Sequence, residues 1–224
     1  MIELVQHADG SIGSADAIKA LAKKEGASLL VLSDSHGRPD VLRAIVEKFG
    51  ERCDAVVFCG DGIGDFCSVL EATGKNKKLA KAFPPVAIFA RGNGDYPDFP
   101  FGDGEIKVPL HQFLKVAGMK VMATHGHSEG AYYGLGRMNQ EALENQADVV
   151  FYGHTHIAAR QEVDCTYFIN PGSCAHPRGG QKACFAITQI PGMQERAETA
   201  FFSIALTLAD GWDFAPYTPP LMGW

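Results

Sequence analysis

Five short apolar runs in this chain each end in side chains that suit metals. LVLSDSH ends on Asp34 and His36, VVFCGD on Asp61, and IFARGNGD reaches Asn93; VMATHGH carries His125, and VVFYGHTH carries His154 and His156. Each run is rich in Val, Ile, Leu, Phe or Met and short enough for one buried strand. Open α/β sheets place their sites at strand ends, so the pattern predicts an α/β fold that gathers these side chains together.

The segments between the runs fit that reading. Ser14 to Lys24 predicts a helix capped by Ser14, with Ala17, Ile18, Leu21 and Ala22 as its apolar stripe and Gly26 as a stop. Pro39 sits near the start of a second helix whose inward face is Val41, Leu42, Ile45, Val46 and Phe49. A third helix is expected around Phe66 to Ala80 and another around Met138 to Glu144. Strands are expected over Leu29 to Leu32, Ala55 to Cys59 and Val86 to Ala90. In the later half they fall over Glu105 to Val108, Phe113 to Val116, Lys120 to Ala123, Val149 to Tyr152, Thr166 to Ile169, Ala183 to Ile187 and Phe202 to Leu206. Gly118 favours a tight hairpin, and the closely spaced later strands suggest a second sheet packed on the first. Residues 191–200 read as a polar, mobile insertion, and GWDFAPYTPPLMGW reads as irregular from its Gly and Pro content, its aromatics covering either core or an interface.

With 224 residues, 46% of them hydrophobic, the chain can bury a full core and is expected to form a single domain over 1–224. A formal net charge of −6 argues against a broad electrostatic grip on nucleic acid, while leaving room for a phosphate site whose positive charge comes from bound metal. Six cysteines without a regular framework point to a reducing cytoplasm. The opening MIELVQHADG lacks a basic region followed by an apolar stretch, and no apolar run is long enough to span a bilayer, so neither a signal peptide nor a membrane partner is expected. Lys75, Lys77, Lys78 and Lys81 read as a solvated face in the absence of interleaved aromatics.

Asp34 and His36 alternate across one residue, so an extended strand end would direct both to one side; His154 and His156 repeat the spacing, with Gly153 permitting a sharp backbone path. Carboxylate oxygen and neutral imidazole nitrogen are good ligands for divalent transition metals. Each piece alone has a plainer reading: Asp61 as an anionic turn residue, Asn93 as a left-handed turn or cap, a histidine pair as satisfied core residues. Their co-occurrence outweighs those readings. Ser35 has no Ser-His-Asp context that would make it a nucleophile, Ser173 reads as a turn donor, and Asn170 as a hydrogen-bonding organiser.

DSH at 34–36, GD at 60–61, GNGD at 92–95, THGH at 124–127, GHTH at 153–156 and NPGS at 170–173 together resemble the calcineurin-like metallophosphoesterase superfamily, particularly its small bacterial and archaeal phosphodiesterase branch. The likeness leaves out the N-terminal extension at about 1–27 and the 191–200 insertion. It implies a four-layer sandwich of two mixed central β-sheets flanked by helices. It also implies two divalent ions, Mn2+ first with Zn2+, Fe2+, Ni2+ or Co2+ as alternatives. Asp34, His36 and His156 would hold one ion, Asn93, His125 and His154 the other, and Asp61 would bridge them.

The activity so implied is hydrolysis of a small phosphodiester by a bridging hydroxide attacking phosphorus in line. Phosphomonoesterase and a non-catalytic interaction scaffold, like the retromer subunit of this superfamily, are the alternatives, and extended nucleic acid and oligomeric state are left open. Many relatives carry a His directly after the GN pair to protonate the departing oxygen; this chain has Gly94 instead. Asp95 with an ordinary carboxylate pKa would supply a proton poorly at neutral pH, which leaves His127 as the alternative acid. Arg91 and Arg178 could meet a phosphate or form surface ion pairs.

Overall fold

The computed structural model describes residues 2–192, 196–207 and 211–220. In chain order the elements are β1 (Ile12–Gly13), α1 (Ala15–Ala22), β2 (Ala27–Leu32), α2 (Pro39–Phe49), β3 (Ala55–Phe58), α3 (Ile63–Ala72), α4 (Lys77–Ala82) and β4 (Val86–Phe89). There follow β5 (Asp98–Phe101), β6 (Gly104–Lys107), β7 (His111–Val116), β8 (Met119–Thr124), α5 (Gly136–Glu144), β9 (Val149–Phe151), β10 (Ala159–Val163), β11 (Thr166–Asn170), β12 (Cys184–Ile190), β13 (Glu198–Thr207) and β14 (Gly211–Tyr217).

Two mixed sheets form the centre. One has the order β1-β4-β3-β2-β12-β13-β14 and the other β10-β11-β9-β8-β7, while β5 and β6 make a separate hairpin. The twofold alternation of strand side chains assigns the layers. Leu30 and Leu32 of β2, with Val56, Phe58, Ala87 and Phe89, face Val41, Leu42, Ile45, Phe66 and Leu79 of the outer helices α2, α3 and α4. Their neighbours Leu29 and Val31, with Val57 and Ile88, face Val121, Ala123, Phe151 and Ile169 of the second sheet. Met138 and Ala142 of α5 then cover Met122, Val150 and Phe168 on that sheet's far side. The result is the expected helix, sheet, sheet, helix sandwich. Because both faces of the central strands are buried, their sequences are near-continuously apolar.

Several expectations were met in detail. Ser14 accepts from the Ala17 amide at 3.2 Å to cap α1, and Ala117 and Gly118, both at positive φ, turn β7 directly into β8. Others need correction. The helix expected over Phe66 to Ala80 is two helices, because Asn76 interrupts it and its side chain caps α4 by accepting from the Leu79 amide. The 191–200 segment is not all loop: Ala197 is buried against the intersheet core and β13 starts at Glu198, while 193–195 lie outside the described residues. Residues 211–217 of the expected irregular tail form β14, paired to β13, with Trp212 and Phe214 packed on the core beside Phe49, Phe185 and Phe202; 221–224 lie outside the described residues. Strands β1, β5 and β10 were not anticipated. The first of them builds the N-terminal segment into the fold, since β1 pairs antiparallel with β4 and Ile12 enters the core.

Candidate metal centre

The loops leaving β2, β3, β8 and β9 converge at one end of the sandwich. Their backbone does not continue extended. Asp34, His36, Asp61, His154 and His156 all have positive φ, between 44° and 66°, and are five of the nine non-glycine residues so recorded. The left-handed region costs an L-residue of this kind about 1–2 kcal/mol, and such outliers concentrate at functional sites. Thus the alternating residues do share a side, but through two left-handed turns instead of a strand end. Cross-links between loops enforce them: the Asp34 amide donates to the Gly60 carbonyl at 3.0 Å, and that of His36 to the Asp61 carbonyl at 3.2 Å. Gly153 is required for space and not for an unusual φ, because a Cβ there would lie 2.0 Å from Ser33 Oγ and 2.7 Å from Asp34 Oδ2.

The side chains then point at a common volume. Asp34 Oδ1 lies 3.2 Å from His156 Nε2 and 3.8 Å from His36 Nε2. Asp61 Oδ2 lies 3.5 Å from His125 Nε2 and 3.8 Å from His36 Nε2. The tautomers follow from the outer contacts. His125 Nδ1 donates to the Cys59 carbonyl at 2.6 Å and His156 Nδ1 to the His176 carbonyl at 2.5 Å, so the neutral rings turn bare Nε2 lone pairs inward. Asp34 Oδ1 and His125 Nε2 are buried with no hydrogen-bond partner. Orphaned acceptors of this kind cost about 1–3 kcal/mol each. Converging lone pairs with no donor between them fit a cation, and Asp34, His36 and His156, and Asp34, Asp61 and His125, form two overlapping groups with ligand spacing.

Electrostatics agree with that fit. Burial opposes ionisation of Asp61, but His125, the Gly94 amide and His36 outweigh it and hold the carboxyl below the usual range. Burial likewise works against a charged His125 and a charged His156, yet Asp61 and Asp34 raise the first and Asp34 the second. In His36, His127 and His154 burial prevails and lowers the pKa. Asp34 and Asp61 thus favour positive charge in the pocket.

Carboxylates outside this group hold the loops. Asp95 accepts from the amides of Asp61 at 2.8 Å, Gly62 at 3.0 Å, Ile63 at 3.0 Å and Gly92 at 2.9 Å. It ties the GD and GN turns together and caps α3, where Gly62 has no side chain to do so. Asp65 accepts from the Ser35 hydroxyl and from the Gly37 and Arg38 amides, so Ser35 is engaged structurally. Asn170 donates to the Gly153 carbonyl and Thr155 hydroxyl, and the Ser173 hydroxyl donates to the Asp34 carbonyl. Asp65 and His176 were not anticipated; their signal was polar residues just beyond a ligand motif, in GDGIGD and CAHPR.

The remaining expected residues are less enclosed. Asn93 is exposed, without a side-chain partner among the described residues, between Gly92 and Gly94, which both abut Asp61. His154 stands 5.1 Å ring to ring from His125. His127 is 5.4 Å from His125, with its Nδ1 buried and unpartnered. Arg178 engages the Tyr132 hydroxyl, whose own ring lies 4.8 Å from that of His154. The backbone of Arg91 is fixed by donation to the Pro109 carbonyl. Lys78 and Lys81 pair with Glu47 and Glu51, as a solvated face would. A cleft of about 570 Å3 opens over His36 and His156, walled by Ala175, His176, Pro177 and Arg178. A larger groove of about 700 Å3 between β10 and the β13–β14 hairpin carries none of the ligand-type side chains.

A two-sheet sandwich with this set of residues at its loop ends defines a class, and the chain belongs to it: residues 28–193 match the calcineurin-like phosphoesterase superfamily domain. Among curated relatives, the probable metallophosphoesterase YsnB of Bacillus subtilis is 32% identical over 163 residues, covering 73% of this chain and 84% of YsnB. Phosphodiesterase YfcE of Escherichia coli K12 is 30% identical over 165 residues, covering 71% and 85%. In fold, the chain is similar to a predicted phosphoesterase from Streptococcus pneumoniae, with a TM-score of 0.60 at 21% identity over 86% of this chain and 98% of the other. The span matched by the family model excludes β1, α1, β13 and β14.

Proposed function

We propose that the chain is a metal-dependent phosphodiester hydrolase acting on a small substrate in the cytoplasm, with residues 1–224 as one such domain. The observation that carries this reading is the pair of buried, unpartnered acceptors, Asp34 Oδ1 and His125 Nε2, facing the same volume. Asp34, His36 and His156 would hold one divalent ion, Asn93, His125 and His154 a second, and Asp61 would be shared. Mn2+ is the preferred ion, with Zn2+, Fe2+, Ni2+ and Co2+ compatible with mixed N/O ligands. When bound, such a pair supplies a lowered pKa for water and neutralisation of charge on phosphoryl oxygens.

The chain's own residues set the rest of the chemistry. Buried second partners hold His125 and His156 in one tautomer. Gly94 has no side chain to protonate a departing oxygen, and its amide is committed to Asp61 Oδ1 at 2.7 Å. Asp95 is fully occupied by four amides, which removes it as an acid. His127 remains nearest, but burial lowers its pKa and leaves it neutral at neutral pH, a weak proton donor. Substrates whose leaving groups need no proton are therefore favoured. The diester preference draws on the name of YfcE; a monoesterase is the second reading, since the outer pocket and not the ligand set separates the two.

Mn2+-equilibrated protein should hydrolyse bis(p-nitrophenyl) phosphate faster than p-nitrophenyl phosphate. Efficient monoester turnover with negligible diester turnover would select the second reading. Absence of both metal and turnover would favour the interaction scaffold.

A further inference from the structure

One ion pair between a half-buried histidine, His111, and a buried glutamate, Glu129, belongs to none of the ligand groups. Glu129, 7% exposed, follows directly on the THGHS segment. Its Oε1 accepts from the Ser128 hydroxyl at 2.7 Å and from His111 Nε2 at 2.6 Å, and its Oε2 from the Thr124 hydroxyl at 3.1 Å. Thr124 and Ser128 flank His125, Gly126 and His127. A single carboxylate thus grips both ends of the three-residue segment that carries the two histidines. The Thr124 oxygen also accepts from the Gly126 amide at 3.3 Å.

His111 completes the device from the neighbouring strand. In the antiparallel β7–β8 register it stands opposite Thr124, and its Nδ1 lies 3.4 Å from Glu141 of α5. Charge-assisted hydrogen bonds with little exposure are stronger and more directional than neutral ones. The two site loops built on left-handed residues have no counterpart here, since neither His125 nor His127 has positive φ. The Cys59 carbonyl holds His125 Nδ1, but the path of the segment that carries both rings needs a hold other than strain at the histidines.

We propose that Glu129 and His111 are positioning residues: the Glu129 carboxylate, held by His111, staples Thr124 to Ser128 and thereby sets the orientation of His125 and His127. Burial resists ionisation of Glu129, yet the hydrogen bonds from His111 and Ser128 hold it down to about 2, so the staple is charged across the physiological range. The inference rests on the reading of His125 as a metal ligand. Outer partners of ligating histidines typically control affinity by about 10–100-fold.

The test uses the full chain and Glu129→Ala, with Ser128→Ala as the milder variant at an exposed hydroxyl should the first not fold. Mn2+ binding is measured by calorimetry, and the imidazole 15N signals of the metal-free proteins are recorded beside thermal melting. The expected result is Mn2+ affinity lowered about tenfold or more for Glu129→Ala, and by a smaller factor for Ser128→Ala. The His125 and His127 signals should broaden or shift while those of His36 and His156 stay in place. Unchanged affinity and unchanged His125 and His127 signals, with or without a lower melting temperature, would overturn the staple. If the wild-type protein itself takes up no Mn2+, the metal-site reading fails instead, and the imidazole spectra alone still decide the positioning role.

Discussion

The loops that present His36 and His156 and the loop that presents His125 solve one problem in two ways. At 34–36 and 154–156 the backbone does the orienting: both outer positions of each triplet are left-handed, and Gly153 lets Ser33 and Asp34 approach closer than a Cβ would allow. At 125–127 the histidines keep ordinary φ values and a side chain, Glu129, closes the segment. Backbone strain is carried by packing and is insensitive to pH. A carboxylate staple is an ion pair, weaker and titratable. The two constructions should therefore fail under different perturbations.

The largest effect is expected where packing enforces the strain. Gly153→Ala sets a methyl against Ser33 Oγ and Asp34 Oδ2 at 2.0 and 2.7 Å, so we expect a loss of about 1–3 kcal/mol in stability and roughly 100-fold in metal affinity. Chemical denaturation and metal titration measure these. A variant with wild-type affinity would show that the 154–156 loop does not depend on the close approach.

Next comes Asp95→Asn. One carboxylate oxygen becomes an NH2 group facing backbone donors, leaving at least one amide unsatisfied, at a cost of about 1–3 kcal/mol. Urea titration should show the lower midpoint, and diesterase activity should fall with it. Equal stability would contradict the placing of Asp95 as the tie between the GD and GN turns.

A smaller change is expected on the reaction profile. For a series of matched diesters, rates should fall steeply as the leaving-group pKa rises, and His127→Ala should leave that slope nearly unaltered. A shallow slope that steepens in the variant would identify His127 as a working acid.

The smallest effect is the pH signature of the staple. Hydrogen bonding to Glu129 raises His111 above its ordinary 6.5, so its contribution is complete below about 6.5 and is lost as pH rises through the higher folded value. Glu129 is held below its ordinary 4.5, so its contribution is complete above about 4.5 and is lost as pH falls toward about 2. The pair thus stabilises most between those values. The group facing His111 from α5, Glu141, acts in the same sense as Glu129. Wild-type protein should lose about 1 kcal/mol more than Glu129→Gln between pH 6 and the far side of the His111 titration, about 2–4 °C in melting temperature. Parallel pH profiles for the two proteins would remove the ion pair from the account.

Much of this was legible in the chain. The apolar runs predicted the strands because doubly covered strands need apolar residues on both faces, and the same punctuation located the candidate ligands. The geometry was not legible in the same way. A one-residue alternation suggests an extended segment, and only the packed loops show that Asp34, His36, His154 and His156 are left-handed. Asp95 was weighed only as a poor proton donor, and its tying role was hidden because three of its four amide partners lie 32–34 positions away in sequence. Glu129 carried no signal of its own in the sequence, since its partner His111 sits on another strand. The tail misled for a local reason: Gly211 and Pro216 resemble turn punctuation, while Trp212 and Phe214 take part in an edge strand that covers the core.

The proposed function depends on the converging carboxylates and imidazoles holding a pair of ions around Asp61. Elemental analysis of Mn2+-equilibrated, desalted wild-type protein and Asp61→Asn tests it most directly. Close to two ions per wild-type chain are expected, and clearly fewer in the variant together with a collapse of diester hydrolysis. Full occupancy and unchanged hydrolysis in Asp61→Asn, or a wild-type chain that retains no metal, would contradict it.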